Sequence, residues 1–344
     1  MRRGWLRATW AVVGATSLTV GVEAAGLTEV AFATNWRAQA EHGGFYQALA
    51  DGLYAERGLD VTIVQGGPMV NARASLATGR VEFMMGSNLV TAFDAAKEGF
   101  PSVIVAAFFQ KDVQCLIAHA TPERERWEQL KSSRLFIGAA GQHGYYRWLR
   151  AAHGFPERVR TYAYSMAPFL ADPRVVQQGY LTAEPFALRQ ETGRAPRVFL
   201  LADYGWDTYS TLVEVKRSYA ESHPETVRAF VDASILGWVR YLYGDPASAH
   251  RLIQKDNPQI SAEQLAYSRE QMLDREVVDG GDTLAGGVGA MTAERVRGFL
   301  AKMIAAGVFR DGEVDVDRVC RFDFVNRGVG VEEKQRLLAA AGSE

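Results

Sequence analysis

The chain has 344 residues, too many for one ordinary compact core, so two lobes or domains are expected. Its composition is globular, with 48% hydrophobic and 23% charged residues. A formal net charge of −2 gives no reason to expect nucleic acid or an anionic membrane surface as a partner.

Arg2, Arg3 and Arg7 precede the uncharged apolar run Ala8–Val22, and Val22-Glu23-Ala24 offers small residues for cleavage before Ala25. Residues 1–24 therefore read as an export signal, too short for a membrane anchor, of the Sec or the twin-arginine type. Its removal takes away three Arg and one Glu, changing the net charge from −2 to −4. A periplasmic location without a lipid anchor follows. Cys115 and Cys320 are the only cysteines, and both read as buried free thiols near strands.

Val30–Ala33 reads as a strand, Asn35–Glu41 as an irregular polar loop, and Gly43–Leu53 as a helix burying Phe45, Leu49 and Leu53. Leu59–Gln65 is strand-like again, completing a β-loop-α-β unit of a parallel sheet. Ligands of such sheets bind beyond the carboxyl ends of strands. Asn35, Trp36, Glu41, His42, Gly43 and Gly44 occupy that position; a capping loop with one tucked Trp is the alternative.

A helix is expected over 69–78, a strand over Val81–Met85, and a helix capped by Ser87 or Asn88. Val103–Phe109 is a strand followed by the polar-aromatic cluster Phe109-Gln110-Lys111-Asp112, and Cys115–Ala118 is a fifth strand that crosses to a second lobe. Arg134–Ile137 leads into a Gly-rich turn, Gly138–Gly144, which has neither the P-loop nor the dinucleotide pattern. Strands are expected over Val159–Tyr164, Val175–Tyr180, Val198–Leu201 and Thr211–Val215, with Glu184-Pro185-Phe186 opening a helix and Asp203–Tyr209 an aromatic loop. The remainder is helical, and the stripe Val227, Phe230, Val231, Ile235, Trp238, Val239 and Leu242 places Trp238 in the core.

The fold class is thus α/β. The expected layout is lobe 1 over 25–117 plus 203–344, lobe 2 over 118–202, and a ligand cleft between them joined by crossing strands. Trp36, Phe109, Tyr145 and Trp206 are the candidate walls for a flat ligand. Glu41 and Glu184 are candidate partners of an amine, with helix N-terminal charges as the bland alternative. Gln65, Ser87, Asn88, Gln110 and Gln142 are candidate hydrogen-bonding groups, each also readable as a turn or cap. The six His residues show no metal-ligand spacing.

Asn35-Trp36, His42-Gly43-Gly44-Phe45-Tyr46, Gly58-Leu59-Asp60-Val61, Ala77–Phe83, Glu184-Pro185-Phe186 and Ser222–Val227 together carry a resemblance. The chain resembles periplasmic solute-binding proteins of ABC transporters, in the thiamine-pyrimidine-precursor (Thi5-like) branch. The resemblance implies a type II periplasmic-binding-protein fold, no catalysis and no cofactor. It also implies a monomer that delivers a small aromatic heterocycle to an inner-membrane ABC permease, with Asn35, Trp36, His42 and Glu184 at the ligand. The chain departs from that pattern at Arg37-Ala38-Gln39 and at Glu41. Sister branches take alkanesulfonates, taurine or nitrate, which call for cationic groups; Arg37 and Lys111 are the basic residues of the expected cleft loops. A synthase of this fold would need a Cys-rich iron motif, and two cysteines do not make one.

Overall fold

A computed structural model describes residues 1, 26–68 and 70–342. Apart from Met1, the expected export segment lies outside the described residues, as does Met69 of the helix expected over 69–78, which runs Ala72–Thr78.

The strands are β1 (Thr28–Ala33), β2 (Leu59–Val64), β3 (Phe83–Asn88), β4 (Ser102–Phe109), β5 (Gln114–Ala118), β6 (Arg134–Ile137), β7 (Arg160–Thr161), β8 (Val175–Tyr180), β9 (Arg197–Leu200) and β10 (Ser210–Lys216). They form two five-stranded sheets, β2-β1-β3-β10-β4 and β7-β6-β8-β5-β9. In each sheet the first three strands are parallel, and the fourth runs antiparallel to both neighbours. The two lobes thus repeat one topology. Lobe 2 begins at β5, whose partners are β8 and β9, so the chain crosses at 110–113 and not at 117/118. It returns through 201–209 into β10.

Lobe 1 holds a core of stacked aromatics. The helix Pro224–Tyr243 lays Phe230 on Phe83, with ring centroids 4.1 Å apart, and Phe45 meets Phe32 at 4.7 Å. Trp238 is fully buried there, as its stripe requires. The first helix, Gly43–Ala50, crosses this long helix so closely that a Cβ on Gly43 would come within 2.3 Å of Tyr241, and one on Gly44 within 2.1 Å of Trp238. Gly43 and Gly44 therefore serve helix packing and not a ligand. Cys115 and Cys320 are free and buried.

Two hinge segments cross between the lobes, and Asp112 ties them together. Its carboxylate accepts from the Trp206 indole N–H at 3.0 Å and from the Gln114 amide at 2.9 Å, and Asn88 Nδ2 approaches at 3.5 Å. Side contacts join the lobes further out. Arg147 of lobe 2 reaches Asp94 of lobe 1 at 3.0 Å, and Ser268 Oγ donates to the Thr182 carbonyl at 2.6 Å.

Candidate functional site

The carboxyl ends of β1 and β3 face those of β6 and β8, as open α/β sheets dictate for a ligand crevice. Between them lies a cavity of about 300 Å³. Lobe 1 contributes Asn35, Trp36, Gln39, Gly67, Pro68 and Ser87; lobe 2 contributes Gln114, Ala140, Gly141, Tyr164, the run Gln178-Gly179-Tyr180, Ala183 and Glu184. A smaller chamber beneath it is lined by Glu41, Phe109 and Asp112, among others.

Trp36 stands at the mouth, with the Tyr164 ring of the other lobe 5.1 Å away at 44°. Tyr164 holds a positive φ of 57°, a conformation that costs a non-glycine residue and persists only when its surroundings hold it. Asn35 meets His42, whose Nε2 lies 3.4 Å from Asn35 Oδ1. Burial lowers the His42 pKa to about 3, so the ring is neutral, and donation to Asn35 places its proton on Nε2. Among the described residues, His42 Nδ1 has no hydrogen-bond partner and is buried.

Of the acids at the cleft, Glu41 and Asp112 are buried and Glu184 is partly buried. Glu41 is 4% exposed and accepts from the Thr182 hydroxyl of the opposite lobe. Burial raises its pKa against that hydrogen bond. Burial also raises Asp112. Glu184 Oε2 accepts the Tyr180 amide at 2.7 Å. Burial pushes its carboxyl up to about 7, the Tyr180 N–H opposes, and the Glu41 charge adds to the rise.

Of the thirteen candidates, Asn35, Trp36, Ser87 and Glu184 line the main cavity, and Glu41 and Phe109 line the chamber below. The others are spent on structure. Gln65 brackets the Asn35–Ala38 loop, accepting from the Ala38 amide at 2.9 Å and donating to the Asp256 carbonyl at 3.0 Å. Asn88 closes a capping box with Thr91. Gln110 donates to the Ala290 carbonyl at 2.8 Å and accepts from Arg295. Gln142 donates back to the Ile137 carbonyl at 2.8 Å. Tyr145 is buried behind Gln178, and Trp206 is fully buried on Asp112. His42 supports Asn35 from below.

Sequence reasoning missed Gln39, Gln114, Tyr164, Gln178 and Tyr180. A readable signal existed for two of them: Gln114 opens the apolar strand β5 and Gln178 follows Gln177 within β8, and a polar side chain in a buried strand needs a reason. The basic residues Arg37 and Lys111 lie elsewhere; Arg37 reaches Gln259 at 3.2 Å and Lys111 the Arg275 carbonyl at 2.8 Å. Among the described residues, no Lys or Arg lines the cavity.

Residues 39–249 match the family model described as NMT1/THI5 like. The chain belongs to the NMT1/THI5-like family. No curated protein matches it by sequence. Among solved structures, this NMT1/THI5-like chain is similar to the ligand-binding component of an ABC-type import system from Staphylococcus aureus. That likeness has a TM-score of 0.62 at 12% identity, over 86% of this chain and 97% of the other. It is also similar to the periplasmic nitrate-binding protein of Synechocystis, with a TM-score of 0.60 at 15% identity over 89% of each chain. The periplasmic aliphatic sulphonate binding protein of Escherichia coli gives 0.59 at 16% identity, over 88% of this chain and 98% of that one. These likenesses establish the periplasmic-binding-protein fold, and the repeated order of the two sheets is that of its type II. Among the described residues of the NMT1/THI5-like chain, no helix is long and apolar enough to cross a membrane.

Proposed function

We propose that this protein is an exported solute receptor that captures a small flat heterocycle bearing an amino group and delivers it to an ABC permease. One observation carries the ligand class: the cavity offers carboxamides, hydroxyls and the Glu184 carboxyl beside the rings of Trp36, Tyr164 and Tyr180, and its ionisable groups are one carboxyl and two phenols. Sulphonate and nitrate receptors share the fold, but an oxyanion finds no cationic side chain on this lining. The family membership and the fold support the receptor role and the permease partner, and the apolar run Ala8–Val22 supports export.

Native mass spectrometry of the mature protein from its host, followed by thermal-shift titration with aminopyrimidines, aromatic acids and alkanesulfonates, tests the reading. Stabilisation by an aminopyrimidine, weakened at least about 10-fold in affinity in Trp36→Ala, is the expected result. Stabilisation by sulfonate alone overturns the ligand class.

Glu184 adds a pH signature. Its folded pKa of about 7 lies above the ordinary 4.5, so the ligand-free protein keeps this group's stabilising contribution below the ordinary value. It loses that contribution as the pH rises through the folded value and the carboxylate forms in a partly buried site. An amine donor relieves that cost. Affinity for an amino-bearing ligand is therefore expected to rise by up to about 10-fold between roughly pH 6 and 8, and then level off. Glu184→Gln should flatten the profile in calorimetric titrations. A profile that persists in that variant removes Glu184 from the recognition.

A further inference from the structure

We infer that Gln178 and Gln114 form a donor–acceptor pair of fixed polarity that, with Glu184 as a second acceptor, reads an amino group beside an unprotonated ring nitrogen. This inference deepens the receptor reading and rests on it.

The carboxamide of Gln178 cannot be turned around. Its Oε1 accepts the Gly138 amide N–H at 2.6 Å and the Tyr145 hydroxyl at 3.3 Å. Reversal would set Nε2 against the Gly138 N–H, donor against donor. Two glycines make the approach possible, since a Cβ on Gly138 would come within 3.1 Å of this side chain and one on Gly141 within 2.7 Å. Nε2 is left as the free end of a residue that lines the cavity, and no described protein group bonds to it. Gln178 therefore presents a donor.

Gln114 is locked in the opposite sense. Its Nε2 donates to the Gly179 carbonyl at 2.9 Å, and no described residue bonds to its Oε1. Gln114 presents an acceptor. Gln114 pairs with Tyr180 and Gln178 with Leu116, so the two glutamines are diagonal neighbours on one face of the second sheet. At about 7–8 Å between backbones, side chains of this length meet a common small ring. Glu184 adds a second acceptor, because only its Oε2 is held by the Tyr180 amide. The lining thus shows one donor and two acceptors. The complementary ligand edge is a bare ring nitrogen next to an NH₂ group with two hydrogens to give. An oxo-heterocycle has one hydrogen on its edge, N–H beside C=O; turned over it satisfies Gln178 and Gln114 but gives Glu184 no donor, and a simple oxyanion presents acceptors only.

The test is calorimetric titration of the mature protein at about pH 8 with two probes of equal shape, 4-aminopyrimidine and pyrimidin-4-one. The wild type is expected to prefer the amino probe by about 10-fold or more. Gln178→Glu keeps an oxygen for Gly138 and Tyr145 but replaces the donor, and affinity for the amino probe should fall by about 10-fold. Gln178→Met removes the donor without adding charge and should lower that affinity in the same direction. Equal wild-type affinities for the two probes, or an amino-probe affinity unchanged in both variants, overturn the polarity assignment and leave the receptor reading standing. Binding of neither probe by the wild type overturns the heterocycle reading, and the assignment with it.

Discussion

Arg73→Ala is expected to destabilise the protein by about 3–5 kcal/mol. Glu214 sits in β10, an interior strand of the first sheet, with its side chain 1% exposed. Arg73 approaches from the surface and grips it with both guanidinium nitrogens, at 3.0 and 3.1 Å, and Ser102 Oγ donates at 2.7 Å. Removing the guanidinium leaves a buried carboxylate with one hydroxyl for company. The cost is that of a stranded charge and not of the pair itself. Urea unfolding of Arg73→Ala should show the loss, and the double variant Arg73→Met/Glu214→Met should recover most of it. If the double variant is as unstable as the single one, the charge is not the cause.

Asp112→Ala is the second large effect, expected at about 3 kcal/mol. The substitution unpairs the Trp206 indole and the Gln114 backbone amide, each a buried donor with no alternative acceptor among the described residues. At about 1–3 kcal/mol for each stranded donor, the two sum to that figure. The functional consequence exceeds the loss of stability. Asp112 joins both crossing segments, and Gln114 follows it directly into the cavity wall. Ligand affinity should therefore fall even at temperatures where the variant is fully folded. An Asp112→Ala protein that unfolds earlier yet binds with unchanged affinity would show the clasp to be structural alone.

The strands were legible because apolar runs bounded by Gly, Pro and polar turns mark them. Arg134–Ile137 and Val175–Tyr180 were read with the bounds they have. The stripe on the long helix likewise put Trp238 in the core. Position after a strand brought Asn35, Trp36 and Ser87 to the cavity, because strand ends meet there in any sheet of this kind. It failed at the crossing segment. Gln110 and Asp112 are two residues apart in one polar cluster, yet Gln110 turns to the helical cap and Asp112 to the hinge. Trp206 and Tyr145 look like ligand walls in one dimension, but both are consumed behind the wall. Tyr164 carried no signal at all, since its place depends on a left-handed backbone and on a partner in the other lobe. Direction of a side chain, and contact across a cleft, are properties of the assembled sheets.

The strand order also imposes a timetable on the growing chain. β3 and β4 never pair with one another; β10 lies between them and bonds to both. While residues 114–200 are being made, the first sheet has a gap between β3 and β4 and two unsatisfied edges facing it. Lobe 2 has no such gap once β9 has emerged, because β5 and β9, the ends of its insertion, lie side by side. The inserted lobe can therefore close first, and the lobe that begins the chain is the last to be completed. Edges held open for that interval are ready templates for pairing with other chains, so keeping the chain unfolded or chaperoned until residue 216 is available protects it from aggregation.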